Sequence, residues 1–198
     1  MSGIISDNQG RSSGLVKAAA ASSDFKKLSA QTVSSVSSVS FDGFFTSDYN
    51  KYELMGNDIE CETSAGECRY RTRSSDADNT GSYYTNSGCK FYHDVNSENW
   101  IKADSSVNVG SKDLNAPTDH WAIDGVGKTV SASYLYAVRY VIYAPLSATR
   151  NIGEMEYISE ASTVFAKTYG AGVYQNTAAL SGMTFYVSAG TFSGTFTL

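Results

Sequence analysis

The chain has few charged residues and few of the side chains that perform covalent chemistry or bind metals. Only 18% of its residues are charged, below the quarter that is usual, and its 198 residues include two histidines and three cysteines. His93 lies near Cys89 without the further ligands that zinc requires. We therefore expect no catalytic residues, so that the protein is not an enzyme, and we expect no metal or other cofactor. His120 is interpreted as a structural or binding histidine.

One segment resembles a calcium loop but lacks a required ligand. Oxygen-bearing side chains alternate in residues 76–81 before a glycine, yet Ser87 stands where an EF-hand needs a bidentate glutamate. The segment is therefore interpreted as a surface turn.

The chain also lacks a long apolar run, a basic stripe and a signal peptide. Its longest apolar stretch is far shorter than a membrane span, and residues 1–7 have neither a charged start nor a hydrophobic core. The net charge is −5 and the fifteen basic residues are scattered. We expect neither membrane insertion nor nucleic-acid binding, and we expect assembly in a cytoplasm.

An odd number of cysteines cannot form a closed disulfide framework. Cys61 and Cys68 have a spacing that allows a bridge around a hairpin. A cytoplasmic origin favours the alternative, in which both thiols are reduced and lie in or near a sheet.

Abundant Tyr, Thr and Val predict a mainly β protein, because these residues favour pleated, half-buried surfaces. In residues 191–198, Phe192, Phe196 and Leu198 alternate with polar residues, so one face is expected in the core. Residues 68–73 alternate in the same way and place their arginines on the opposite face.

The strongest strand is predicted over residues 129–144. Its second half, from Leu135 to Tyr143, is apolar on both faces except for Arg139. Either a central strand between two layers or a contact between subunits explains this pattern. Eight to ten such strands without a helix-length segment predict an all-β fold, an antiparallel, jelly-roll-like β-sandwich.

The chain divides into an extended N-terminal arm, residues 1–27, and a β-sandwich domain, residues 28–198. The arm is polar and without periodicity, so it is not expected to fold alone. It is either a disordered tail or a segment that becomes ordered against a partner.

Residues 74–128 are rich in Asp, Asn, Ser and Gly, and long loops of this kind are often functional. Their aromatic side chains either pack beneath the loops or bind sugars or protein surfaces. The candidates for receptor binding are Tyr83, Tyr84, Tyr92, Trp100 and Trp121.

Four segments resemble virion proteins of tailed bacteriophages, especially marine and cyanobacterial ones. Residues 5–18 resemble segments of such proteins, and residues 39–54 are similar to the start of a tail-fibre or receptor-binding C-terminal domain. Residues 81–84 and 193–198 match the same pattern. The resemblance implies a compact β-sandwich, commonly a homotrimer, displayed on the virion.

On this basis we expect a small tail-fibre or receptor-binding protein that mediates host attachment. Its partners would be further copies of itself, a host cell-surface glycan or protein, and other virion proteins bound through the arm. The candidate anchoring residues are Ile5, Asp7, Asn8, Arg11, Leu15 and Val16. The alternatives are a capsid decoration (cement or head-fibre) protein and, less favoured, a tailspike-type enzyme that degrades polysaccharide.

Overall fold

The computed structural model describes residues 25–62, 68–81, 84–94, 102–103, 121–122, 135–161 and 164–198. For residues 85–94, 102–103, 122, 159–161 and 164–166 it describes the backbone alone. These ranges contain β-strands and no helix. The strands are β1 (Ala30–Val36), β2 (Ser38–Phe41), β3 (Lys51–Cys61), β4 (Cys68–Ser74), β5 (Ala77–Asp78), β6 (Tyr84–Asp94), β7 (Lys102–Ala103), β8 (Trp121–Ala122), β9 (Leu135–Tyr143), β10 (Asn151–Ala161), β11 (Val164–Tyr174), β12 (Gly182–Val187) and β13 (Phe192–Thr197).

The strands form two antiparallel sheets that pack face to face, which confirms the predicted β-sandwich. Sheet A has eight strands in the order β1-β13-β3-β9-β10-β11-β6-β7. Sheet B has five, in the order β2-β12-β4-β5, with β8 paired to β4. Because β3 and β9 pair across a wide sequence separation, the sandwich depends on contacts between distant segments.

Alternating side chains build the core, as the sequence predicts. In β9, Tyr136, Val138, Tyr140 and Ile142 are buried between the sheets. In β13, Phe192 and Phe196 are also buried, as is Leu198 immediately after the strand. In β4, Cys68, Tyr70 and Thr72 are buried while the intervening arginines are half-buried on the other face. Residues 129–134 of the predicted strand lie outside the described residues.

Two predicted interruptions do not end their strands. The Gly-Asn-Asp sequence of residues 56–58 predicts an interruption, but β3 continues to Cys61 through a register shift against both β9 and β13. Asp58 in this irregularity has a φ of 52°. The sequence pattern likewise predicts two strands, at 163–169 and 171–175, but the structure has one strand, β11, which pairs with β10 and β6 over its whole length.

Stacked and edge-on aromatic rings connect the two sheets. Tyr70 of sheet B stacks on Tyr140 of sheet A with ring centroids 4.9 Å apart. The position of the Tyr140 ring requires a glycine at residue 153, because a Cβ atom on Gly153 would lie 2.7 Å from the Tyr140 hydroxyl oxygen. Close approach of the ring to the β10 backbone therefore explains the glycine.

Cys61 and Cys68 are free thiols, so the favoured interpretation of reduced cysteines is confirmed. Cys61 lies in β3 of sheet A and Cys68 in β4 of sheet B, and both are buried. Burial raises the pKa of the Cys61 thiol to about 11, which keeps it protonated at neutral pH.

Candidate interaction surface on sheet A

The outer face of sheet A is formed by β3, β9, β10 and β11, which lie side by side. We call this surface the ladder face. Its side chains form four rows across the strands, because residues paired in neighbouring strands point the same way. The rows are Lys51–Tyr143–Ile152–Val173, Glu53–Val141–Glu154–Ala171, Met55–Arg139–Glu156–Tyr169 and Ala137–Ile158–Lys167.

Ion pairs bridge neighbouring rows and strands. The Arg139 guanidinium donates two hydrogen bonds to the Glu53 carboxylate, from Nε at 2.6 Å and from Nη2 at 2.9 Å. Lys51 Nζ lies 3.8 Å from the same carboxylate, and Lys167 Nζ lies 2.5 Å from Glu156 Oε1. The rows contain three cations and three carboxylates, so the face is nearly neutral in a chain of net charge −5.

The pKa values on the ladder face follow from these contacts. The hydrogen bond from Arg139 lowers the pKa of Glu53 and, together with the carboxylate's charge, raises the pKa of Arg139. Val141 at the centre of the face is fully buried, although it points away from the sandwich core. The surrounding charged and aromatic side chains thus form a packed outer layer.

Apolar side chains surround this charged centre and remain exposed. The exposed fractions are 53% for Ile152, 42% for Tyr169 and 41% for Met55. Large apolar groups that face water beside paired charges are typical of surfaces that contact another protein.

Replacing Glu53 with glutamine is expected to remove part of the acid dependence of stability. A carboxyl whose folded pKa is lowered stabilises the fold fully above its unfolded value, near 4.5, and loses this contribution as the pH falls through the folded value. We expect Glu53→Gln to cost about 1 kcal/mol at pH 7 and less at pH 2. Urea unfolding at both pH values measures the difference. An equal loss of stability at both pH values would mean that the substitution acts through packing and not through the ion pair.

A second charged cluster is structural. The Arg73 guanidinium contacts the carboxylates of Asp42 and Asp78 and donates to Thr184 Oγ1 at 3.0 Å. These contacts fix the β4–β5 hairpin, where Ser75 and Asp76 have positive φ. The interpretation of residues 76–81 as a surface turn is therefore favoured by the structure, since the Asp78 carboxylate already binds an arginine.

Tyr84 and Trp121, two of the predicted receptor-binding residues, lie in the core. Both are completely buried, with ring centroids 5.1 Å apart, and Trp121 also packs on Tyr140. The Tyr84 hydroxyl donates to the Asn79 carbonyl at 2.8 Å and accepts a hydrogen bond from the Thr72 amide at 3.1 Å. Burial raises the pKa of Tyr84. Their assignment to a receptor-binding surface was wrong, because these polar aromatic groups find their partners between the sheets.

For the remaining predicted site residues the structure describes no side-chain position. The backbone of Tyr92 lies in β6, opposite Ala166 and Lys102. His93 lies next to it in the same strand. The other predicted site residues lie outside the described residues: Tyr83, Trp100, His120, Ile5, Asp7, Asn8, Arg11, Leu15 and Val16.

Sequence reasoning found only part of the ladder face. It identified β9 as apolar on both faces and allowed a contact between subunits. It did not predict that Glu53 and Lys167 lie on the same sheet face as Arg139. The alternation of Glu154 and Glu156 with Met155 was a usable signal, since it places both carboxylates on the outer face.

Comparison with known proteins gives no relative for the chain: no family model, curated protein or solved structure matches it. Within the described ranges, no helix is long and apolar enough to cross a membrane. The same part of the chain contains no group of three His, Cys, Asp or Glu residues suited to holding a metal ion.

Proposed function

We propose that the chain is a structural protein of a tailed bacteriophage virion, a small homotrimeric tail-fibre or receptor-binding protein that acts through contact and not through catalysis. The ladder face carries this proposal, because it combines exposed apolar side chains with charges that are mostly in ion pairs. The resemblance of residues 5–18 and 39–54 to virion proteins supplies the biological setting.

The geometry of the ladder face suits association between copies. Four strands about 4.8 Å apart and about 30 Å long cover roughly 600 Å². This is close to the ~800 Å² that each partner contributes to a standard interface. Since the charges on the face nearly cancel, copies of an otherwise acidic chain can approach there without net repulsion. A trimer would also multiply weak contacts with a host receptor.

In this proposal the arm anchors the protein to the particle through Ile5, Asp7, Asn8, Arg11, Leu15 and Val16. The receptor contacts come from the segment 74–128, with Tyr83, Tyr92 and Trp100 as the remaining aromatic candidates. The ligand is a glycan or protein of the host surface.

Immunogold labelling of purified particles of the phage that encodes the chain tests its position. Label at the tail fibres or baseplate supports the proposal. Label over the capsid overturns the tail assignment in favour of a decoration protein, and no label on particles overturns the virion role.

Release of sugars from host polysaccharide by the purified chain, abolished by replacing one acidic residue, would overturn the non-enzymatic role.

Replacing Ile152 with lysine is expected to dissociate the trimer. The substitution adds an unpaired charge among Lys51, Tyr143 and Val173, where a neighbouring copy would exclude water. Leu146→Lys is the matched control, because Leu146 is an exposed apolar residue outside the ladder-face strands. Native mass spectrometry should give trimer for the wild type and for the control, and monomer for Ile152→Lys. A monomeric wild type, or a trimeric Ile152→Lys chain, would contradict the assignment.

A further inference from the structure

A groove of about 570 Å³ lies where the first described residues meet the end of β13. Phe25, Leu28, Tyr49, Tyr52, Met55 and Leu198 supply most of its apolar lining. A volume of this size with a mainly apolar lining is typical of sites that take a side chain or a small molecule.

The walls of the groove are held by backbone and side-chain contacts. The amides of Leu28 and Ser29 donate to the Leu198 carbonyl at 2.7 and 3.1 Å, and the Leu198 amide donates to the Ser29 carbonyl. On the other side, Tyr49 packs edge-on against Tyr52, whose hydroxyl donates to the Thr46 carbonyl at 2.9 Å. The groove is therefore preformed and not a gap between loose chains.

The rim of the groove is basic. Lys26, Lys27 and Lys51 line it together with one acidic side chain, Glu53, which is bound by Arg139 and lies 3.8 Å from Lys51 Nζ. Lys51 Nζ lies 5.7 Å from the centroid of the Phe25 ring, which is itself 70% exposed. Among the described residues, Lys26 and Lys27 form no ion pair. Two lysines without ion pairs beside apolar side chains favour a ligand that carries carboxylates next to an apolar group.

We propose that this groove binds an acidic peptide segment of another protein, with one large apolar side chain inserted against Phe25 and Met55 and with flanking carboxylates at Lys26 and Lys27. The inference goes beyond the proposed function, because it concerns a different protein as partner and not a second copy of the chain; the groove shares Lys51, Glu53 and Met55 with the edge of the ladder face. Its chemistry would be the same if the chain did not belong to a virion.

The methionine methyl groups provide an internal test. Met55 lines the groove and is 41% exposed, whereas Met155 and Met183 are buried in the core. The full chain with ¹³C-methyl methionine is titrated with the peptide acetyl-Asp-Glu-Asp-Phe-Glu-Asp-Glu-amide, and Met55→Leu assigns its signal. We expect a saturable shift of the Met55 signal and constant Met155 and Met183 signals. Binding should weaken when the salt concentration is raised from about 0.05 M to about 0.5 M.

Two peptides and two variants complete the test. The neutral peptide with Asn and Gln for the acidic residues, and the acidic peptide with Ala for Phe, should bind much more weakly. Lys27→Glu should weaken binding about tenfold, since it replaces attraction with repulsion. Arg150→Glu, the same charge change at an exposed residue outside the groove lining, should have no effect.

The proposal is overturned if the acidic peptide leaves the Met55 signal unchanged or if the neutral peptide binds equally well. It is also overturned if phosphatidylglycerol vesicles shift the signal and the peptide does not. If a chain beginning at residue 25 exposes Met55 to a dissolved paramagnetic agent more than the full chain does, the chain's own N-terminal segment is the occupant. None of these results bears on where the protein lies in a particle.

Discussion

Replacing Phe185 with alanine is expected to lower the free energy of unfolding by about 3–5 kcal/mol. Phe185 lies in β12 and is completely buried. Its ring lies 5.3 Å from Tyr70 in its own sheet, and 5.1 Å from both Phe192 and Phe196 in the opposite one. Truncation therefore removes a contact between the sheets and leaves a cavity that three large rings cannot fill by small movements. Urea unfolding monitored by circular dichroism measures the change.

The matched control is Phe25→Ala, the same chemical change at a ring that is 70% exposed. It is expected to change stability by less than about 0.5 kcal/mol. If both substitutions have the same small effect, Phe185 does not join the two sheets. A loss of several kcal/mol at Phe185 alone would locate the stability of the fold in the aromatic layer between the sheets.

The core of the sandwich could be predicted wherever one strand face is apolar. In β13 and β4 the alternation of Phe192 and Phe196, and of Tyr70 and Thr72, was sufficient to name the buried face. The pattern in β9 also predicted the buried face. Its second face is apolar as well, which indicated either a central strand between two layers or a contact between subunits. That second face is explained by Val141, which the outer layer of the ladder face covers.

Strand boundaries were less predictable, because pairing with distant strands overrides local turn signals. Residues 56–58 have turn-forming side chains, yet β9 and β13 pair on both sides of them and hold β3 together through the irregularity. Gly170 likewise lies within β11, since its neighbours β10 and β6 supply hydrogen-bonding partners along the whole strand. No local sequence feature states which strands will be neighbours.

The functional surface depends on register, and register is not encoded locally. The sequence places Glu53, Arg139 and Lys167 far apart, and only the pairing of β3, β9, β10 and β11 brings their side chains together. Tyr84 and Trp121 show the converse. Their polar surroundings in the sequence left both exposure and packing open, and Thr72 and Asn79 provide the hydrogen bonds that allow Tyr84 to be buried.

Replacing Gly182 with alanine is expected to destabilise the fold by about 3 kcal/mol or more, at the upper end of the effect of overpacking. A Cβ atom at Gly182 would lie 1.8 Å from the Phe41 carbonyl oxygen, which is backbone and cannot rotate away. Relief requires β2 to move from β12, which breaks a ladder that runs from Met183–Phe41 to Tyr186–Ser38. Ala favours extended backbone over Gly by only about 0.5–1 kcal/mol, too little to offset this loss.

Gly194→Ala is the control for the Gly182 substitution, because its Cβ would lie no closer than 3.2 Å to any neighbour. The nearest atoms belong to Ile59, beside the register shift of β3, where a shift of a few tenths of an ångström is sufficient. Urea unfolding of both variants should therefore show a much larger loss for Gly182→Ala. Equal losses of stability would mean that β2 moves away from β12 at little cost. The pairing of β12 with β4 would then stabilise sheet B without a contribution from β2. A large loss at Gly182 alone requires that β2 is fixed against the first residue of β12, as an integral strand of sheet B.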